Sequence, residues 1–353
     1  MYALYRRRIE NMKKMLCLLM ALCLVPLIAF AEGSHVQINQ PLDKPEGWEK
    51  IVEESPYQLG ETAPYGDGSF SVRGFGNYPS IDGSTVSVPM GMELARQLLN
   101  LPEEDLNGFV NFSTTPYAYE RLIYGKPNPT AMLISQNAMM DPEKPVNVIL
   151  VTEPSDEELQ MAKEAGVELC VVPFCYDAFV FLVNGDNEVD GLTLEQIRSI
   201  YSGQTFSWME VGSTSSAPII AYQRPKNSGS QTAMENMVMK GLRFVDVEDN
   251  FITDGMSDLV RQVGDYTNSE EALGYSFLYY LNNLYVNENI KVLAVDGVYP
   301  STENLQNGTY PLTANYYAVY LKGDEQAEAF VQWLLSDEGQ KCVEQAGYIP
   351  IGN

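Results

Sequence analysis

Arg224 stands four residues ahead of Ser228-Gly229-Ser230, and the stretch Gln223–Gly241 (QRPKNSGSQTAMENMVMKG) then runs into a helical pattern whose face carries Met234, Met237, Val238 and Gly241. A guanidinium is a planar two-pronged donor, hydroxyls add further donors, and a helix start presents free backbone N–H groups. An oxyanion is the ligand that uses all three. Gly229 leaves room for close approach. The same spacing also fits a helix capped by Ser228 and Gln231, with Arg224 in a surface ion pair. Two other stretches have a similar character: Gly83, Ser84 and Thr85 precede Pro89 and a helical pattern in SIDGSTVSVP, and Ser113, Thr114 and Thr115 precede another in NFSTTPYAYERLI. Each is weak alone, since Ser and Thr cap helices everywhere. Three in one chain point toward anion binding if they converge in space.

The elements that must position these residues are readable as an alternation of apolar strands and capped helices. Strands are expected at Val146–Val151, Glu168–Val172, Ala178–Val183, Pro218–Tyr222, Lys291–Val295 and Tyr316–Leu321. Ser155 with Glu158 forms a capping box for a helix closing at Gly166, and Thr193 with Gln196 opens one closing near Gly203. Thr115-Pro116 places a cap residue before a proline at the first helical position. This alternation predicts an α/β architecture.

The chain has 353 residues, 45% hydrophobic and 20% charged, enough for two lobes with cores of their own. Arg6–Arg8, Lys13 and Lys14 precede the apolar run Leu16–Ala29, which ends in Ala29-Phe30-Ala31; residues 1–31 read as a signal peptide cleaved after Ala31. Met12-Lys13-Lys14 also resembles a natural start. The run is short for a spanning helix. Neither Cys17 nor Cys23 follows the small residue of a lipoprotein site, so an exported, unlipidated protein is expected. Residues 32–66 are polar without a sustained period and read as a linker or loosely ordered arm.

Removing residues 1–31 leaves 17 basic and 46 acidic residues, so the formal charge moves from −25 to −29. That field disfavours nucleic acid and anionic membranes as partners, while a small anion held by short-range hydrogen bonds remains compatible. The only histidine, His35, lies in the arm, so neither a metal site nor a cofactor is expected. Cys170, Cys175 and Cys342 are read as buried thiols, with one bridge to Cys342 open. An extended Cys170–Cys175 stretch would separate those two by roughly 16 Å, too far for a bridge.

The motif Arg224-x-x-x-Ser228-Gly229-Ser230 resembles the Arg-x-x-x-Ser-Gly-Thr motif of the phosphate-binding receptors of ABC transporters, which belong to the class II periplasmic binding proteins. DGSTVSVP resembles that family's first phosphate loop, GLTLEQIRSIYSGQTFSWMEVG its leucine- and tryptophan-bearing helix, ALGYSFLYY its Gly-Tyr turn, and AFVQWLLSDEGQKCVEQAGYIP its C-terminal helix. Together these cover about Tyr78 to Pro350, in family order. The resemblance implies an α/β two-lobed fold with two hinge-crossing strands and a ligand cleft between the lobes. The first lobe would span 67–176 and 313–353 and the second 177–312, with DAFVFLVN and YYAVYLKG as the crossings. It implies that Ser84, Thr85 and the backbone of Val86 contact the anion from one lobe, with Ser113 or Thr115 as a second hydroxyl contact where this chain has STTP in place of a glycine-rich loop. Arg224, Ser228, Gly229 and Ser230 would contribute from the other. The family's Ser-Asp pair, whose carboxylate accepts the proton of hydrogen phosphate, is matched by Thr152-Glu153.

Phosphate near neutral pH can donate a hydrogen bond and sulfate cannot, so a buried Glu153 would select phosphate, whereas a strand-end Glu153 in solvent leaves other oxyanions open. Asp177, near the first crossing, is read as structural or as a site residue. The expected function is capture of inorganic phosphate by a monomeric, non-enzymatic receptor that delivers it to an ABC transporter permease. The alternatives are a sensor or binding protein for another oxyanion and a secreted hydrolase; the hydrolase lacks a Gly-x-Ser-x-Gly elbow and a histidine base.

Overall fold

The computed structural model describes residues 47–58, 62–64, 70–72, 77–110, 112–125, 146–264 and 271–351. Residues 1–46, with the expected signal peptide and the first part of the arm, lie outside them. The strands, in chain order, are β1 (Thr62–Pro64), β2 (Phe70–Val72), β3 (Ile81–Gly83), β4 (Val148–Val151), β5 (Leu169–Asn184), β6 (Gly191–Leu192), β7 (Ile220–Ala221), β8 (Ala272–Phe277), β9 (Ile290–Val292), β10 (Ala294–Val295), β11 (Thr313–Leu321) and β12 (Ile349–Pro350). The helices that matter for the site are α1 (Val88–Leu99), α2 (Thr115–Tyr124), α3 (Asp156–Ala165), α4 (Leu194–Tyr201), α5 (Gly229–Ala233) and α6 (Asp337–Gln345). A π-helical stretch, Met234–Met239, prolongs α5.

Eight strands form one mixed sheet, ordered β3-β4-β11-β5-β8-β7, with β12 and β9 also paired to β5. β5 is the spine. Its residues Leu169–Ala178 pair with β11 and Tyr176 and Cys175 with β12, whereas Phe179–Asn184 pair with β8 and β9. The sequence suggested two strands here, broken at Pro173; the chain instead runs through as one. Pro173 is tolerated because it pairs only with β11 at a register shift beside Tyr316/Tyr317, where the partner side carries no ladder. The apolar core follows β5, with Phe174, Cys175 and Ala178–Val183 all buried. Cys170, Cys175 and Cys342 are free thiols.

Where β5 passes from one half of the sheet to the other, Asp177 is buried. Tyr316 Oη donates to its Oδ2 at 2.5 Å, and the N–H groups of Ala178 and Tyr279 donate to Oδ1. This answers the Asp177 question in favour of a structural role. Tyr279 stacks on Tyr348, with ring centroids 3.9 Å apart, and donates to Ala346 O.

The capping boxes at Ser155 and Thr193 form as the spacing predicts, with both reciprocal hydrogen bonds present. α2 starts one residue earlier than expected: Thr114 is the cap position, without a side-chain cap bond, and Thr115 is helical. Part of the arm is not loose. Trp48 Nε1 donates to Glu93, Lys50 Nζ donates to Gln97 O, and Val52 is buried, so this segment docks on α1. Its polarity misled the sequence reading because the anchor, Glu93, is itself a buried carboxylate that also gathers Arg96, Gln97 and Gln345. Among the described residues, no helix is long and apolar enough to cross a membrane.

Candidate functional site

Strands β3 and β4 are parallel, and the loops leaving their carboxyl ends build one wall. Gly83 lies so close to β4 that a Cβ there would come within 2.3 Å of Leu150 O. The next residue, Ser84, donates its N–H to that carbonyl at 2.9 Å. Ser84, Thr85 and Val86 then turn into α1; the Ser84 and Ser87 hydroxyls share a hydrogen bond, and Val86 O accepts from Tyr348 Oη at 2.6 Å. Beside this turn, Thr114 N donates to Gly83 O, so the start of α2 is tied to the end of β3. Thr114 adopts φ 80° and ψ 160°, a conformation that favours glycine and that the surrounding contacts impose on a threonine.

The opposite wall follows β7. Arg224 N donates to Tyr275 Oη at 2.9 Å and to Gln231 Oε1, and Tyr275 Oη itself donates to Gln231 Oε1. These contacts correct the expected capping box: Gln231 is occupied by Arg224 and Tyr275, and Ser228 sits at the cap position of α5 without making a side-chain cap bond. The first-turn N–H groups of α5 are therefore not covered by their own cap.

The two walls meet at Gly229. A Cβ on this residue would lie 2.4 Å from Thr152 Oγ1 and 3.3 Å from Thr115 Oγ1. Around that point, Arg224 Nε and Nη1, the Ser228 and Ser230 hydroxyls and Thr152 Oγ1 are shielded from solvent and have no protein hydrogen-bond partner. Buried polar groups are almost always paired, so five such atoms on converging elements describe a donor set shaped for a ligand rich in acceptors. Desolvation by burial lowers the Arg224 pKa below its usual value, with nearby Tyr275, Tyr280, Asp254 and Asp258 acting in the opposite direction. The guanidinium stays charged, and a bound anion would relieve its unfavourable burial.

Two open alternatives narrow. Glu153 is exposed, and its Oε2 accepts from Asn236 Nδ2 at 3.3 Å, so it bridges to the α5 extension at the surface rather than facing inward as a buried acceptor. The longer glutamate side chain carries its carboxylate past the strand end into solvent. Ser113 is buried but already committed: its hydroxyl donates to Asp82 Oδ2 at 2.6 Å, and Asp82 is paired with Arg121 Nη1 at 2.6 Å. Of the pair Ser113 or Thr115, Thr115 is the one whose hydroxyl lies against Gly229. Sequence reasoning missed Asp82 and Arg121, and it brought in Thr152 only through the resemblance, as the neighbour of Glu153. Asp82 left one signal, an acid inside a short strand otherwise packed in the core. At the mouth, Lys226 beside α5 forms an ion pair with Glu157 of α3, joining the same two walls. Among the described residues, no cluster of His, Cys, Asp and Glu could hold a metal ion.

The mixed α/β fold is that of the PBP superfamily, to which the chain belongs: the superfamily's domain matches residues 133–338. It is 25% identical over 184 residues to the phosphate-binding protein PstS of Borreliella burgdorferi, covering 50% of this chain and 64% of that protein. To PstS of Bacillus subtilis it is 28% identical over 172 residues, covering 48% of this chain and 53% of the relative. The matches thus span about half to somewhat under two thirds of these relatives' lengths. A Clostridium perfringens structure with bound phosphate, described as a phosphate ABC transporter substrate-binding protein, superposes with a TM-score of 0.56 at 25% identity, covering 78% of this chain and all of that one.

Proposed function

We propose that the protein captures inorganic phosphate outside the cell membrane and delivers it to the permease of an ABC transporter. The observation that carries this reading is the donor set at Gly229: Arg224 Nε and Nη1 with the Ser228, Ser230 and Thr152 hydroxyls, all buried and without protein partners. Thr85, Val86 and Thr115 complete the proposed contacts from the β3 side. The phosphate named in the B. subtilis, B. burgdorferi and C. perfringens relatives supports the choice of anion. In this reading, residues 67–176 and 313–353 form one lobe and 177–312 the other. β5 and β11 are the crossings, and the Lys226–Glu157 and Asn236–Glu153 contacts close the mouth over the ligand. Export with cleavage after Ala31 and a monomeric state belong to the same proposal. The protein binds without turnover: the site offers donors, and the chain's single histidine is in the arm.

The test is calorimetric titration of ligand-stripped mature protein with phosphate and then sulfate at matched ionic strength. Saturable phosphate binding at one site is expected. Silence with phosphate would mean that the cleft serves a different ligand.

A further inference from the structure

The turn from Ser84 to Val86 at the end of β3 is held by a tyrosine from the far end of the chain. Resting on the phosphate reading above, we propose that Tyr348 is a positioning residue for the anion: its phenol fixes this turn through Val86 O, and its ring ties the turn to the β5 crossing at Asp177 through Tyr279 and Tyr316.

Tyr348 Oη donates to Val86 O at 2.6 Å, and the other end of the same peptide unit, Ser87 N–H, donates to Ser84 O at 3.0 Å. Both ends of that unit are fixed. The carbonyl of the preceding unit, Thr85 O, accepts from Val88 N, which leaves the N–H of Val86 as a first-turn donor without an intrahelical acceptor. A donor aimed by fixed neighbours meets an anion without reorganising, whereas a loosened one must be ordered when the anion binds. Burial raises the Tyr348 pKa well above its ordinary value, so the phenol keeps the proton that it donates.

The ring is clamped as well as the hydroxyl. Tyr279 stacks on it with centroids 3.9 Å apart and planes 8° from parallel, and Tyr316 meets it edge-on at 5.9 Å. Both clamps converge on Asp177: Tyr279 N and Tyr316 Oη donate to its two carboxylate oxygens. Tyr279 Oη also donates to Ala346 O, two residues before Tyr348, and the intervening Gly347 permits the approach, since a Cβ there would lie 3.3 Å from the Tyr279 ring. In the proposed division, Tyr279 belongs to the second lobe and Tyr348 to the first. The β3 turn therefore keeps its shape while the two rings stay docked, and a lobe movement that parts them loosens it, which couples opening of the cleft to release of the anion.

The experiment measures phosphate affinity by calorimetry, together with the unfolding midpoint, for the mature wild type and for Tyr348→Phe, Tyr279→Leu and Tyr310→Phe. Tyr310 is the matched control: its buried phenol also donates to a main-chain carbonyl, Phe179 O at 2.9 Å, but that carbonyl is on β5 and not on the β3 turn. Tyr348→Phe and Tyr310→Phe should lower the midpoint alike, each losing one buried hydrogen bond. Only Tyr348→Phe of that pair should weaken phosphate, by about threefold to tenfold, the net worth of one hydrogen bond. Tyr279→Leu removes the stack, leaves Tyr348 Oη in place and should weaken phosphate by a similar factor. Wild-type affinity in Tyr348→Phe, or an equal loss in Tyr310→Phe, overturns the positioning role, and wild-type affinity in Tyr279→Leu overturns the tie to the crossing. If Tyr348→Phe does not fold, Tyr279→Leu still decides between a coupled and an uncoupled turn. A wild type that does not bind phosphate overturns the phosphate reading and this inference with it.

Discussion

Replacing Arg224 by methionine should move affinity and stability in opposite directions. With the two walls in contact, the guanidinium places Nε and Nη1 out of solvent without a protein partner. An unsatisfied buried donor costs about 1–3 kcal/mol, and methionine fills similar volume without one. The free variant should therefore gain roughly 1–3 kcal/mol, which corresponds to a rise of about 2–6 °C in unfolding midpoint for a protein of this size. With anion bound, the same two nitrogens make charge-assisted contacts worth about 1.5–3 kcal/mol each. Their loss should weaken phosphate by at least about a hundredfold. Calorimetry measures the affinity, and thermal unfolding with and without phosphate measures the rest: ligand at a thousandfold excess over Kd should stabilise the wild type by about 4 kcal/mol and leave the variant almost unmoved. The reasoning fails if Arg224→Met binds phosphate within a fewfold of the wild type, or if the free variant is less stable. Either result would place the guanidinium in a structural role.

Two other perturbations probe the cleft and the crossing. Gly229→Ala puts a methyl where Thr152 Oγ1 lies 2.4 Å away; it should hold the walls apart and reduce phosphate affinity at least about tenfold while far-ultraviolet circular dichroism stays unchanged, and full affinity would contradict the contact. At Asp177, burial pushes the carboxyl up to about 7, against the opposing hydrogen bonds from Tyr316, Ala178 and Tyr279. The folded protein then retains a proton that the unfolded chain loses near its ordinary value of about 4, so stability falls as pH rises from about 4 to about 7 and is level above that. Asp177→Asn keeps an Oδ1 acceptor for both N–H groups and turns its amide toward Tyr316 Oη. Its midpoint should gain on the wild type across that window and remain higher at pH 8; midpoint curves that stay parallel would refute the assignment.

The helices with capping boxes at Ser155 and Thr193, the apolar runs that became β4, β7 and β11, and the motif from Arg224 to Ser230 were legible along the chain because their causes are local. A cap acts over three residues, a strand shows its pattern over five or six, and the order of motifs is a one-dimensional property. The α/β class and the family resemblance rest on such signals. Tertiary contacts settled the rest. Gln231 abandoned the capping box because Tyr275, forty-four residues away, reaches its side chain. Pro173 did not break β5 because that side of the strand carries no ladder at this point. The Ser113 hydroxyl is committed to Asp82 because folding buried that carboxylate beside it, and Glu153 reaches Asn236 at the surface. A side chain's type states what it can donate or accept. Which of those capacities remains free is decided by the neighbours that folding brings from distant parts of the chain, and that accounting has no signature in local spacing.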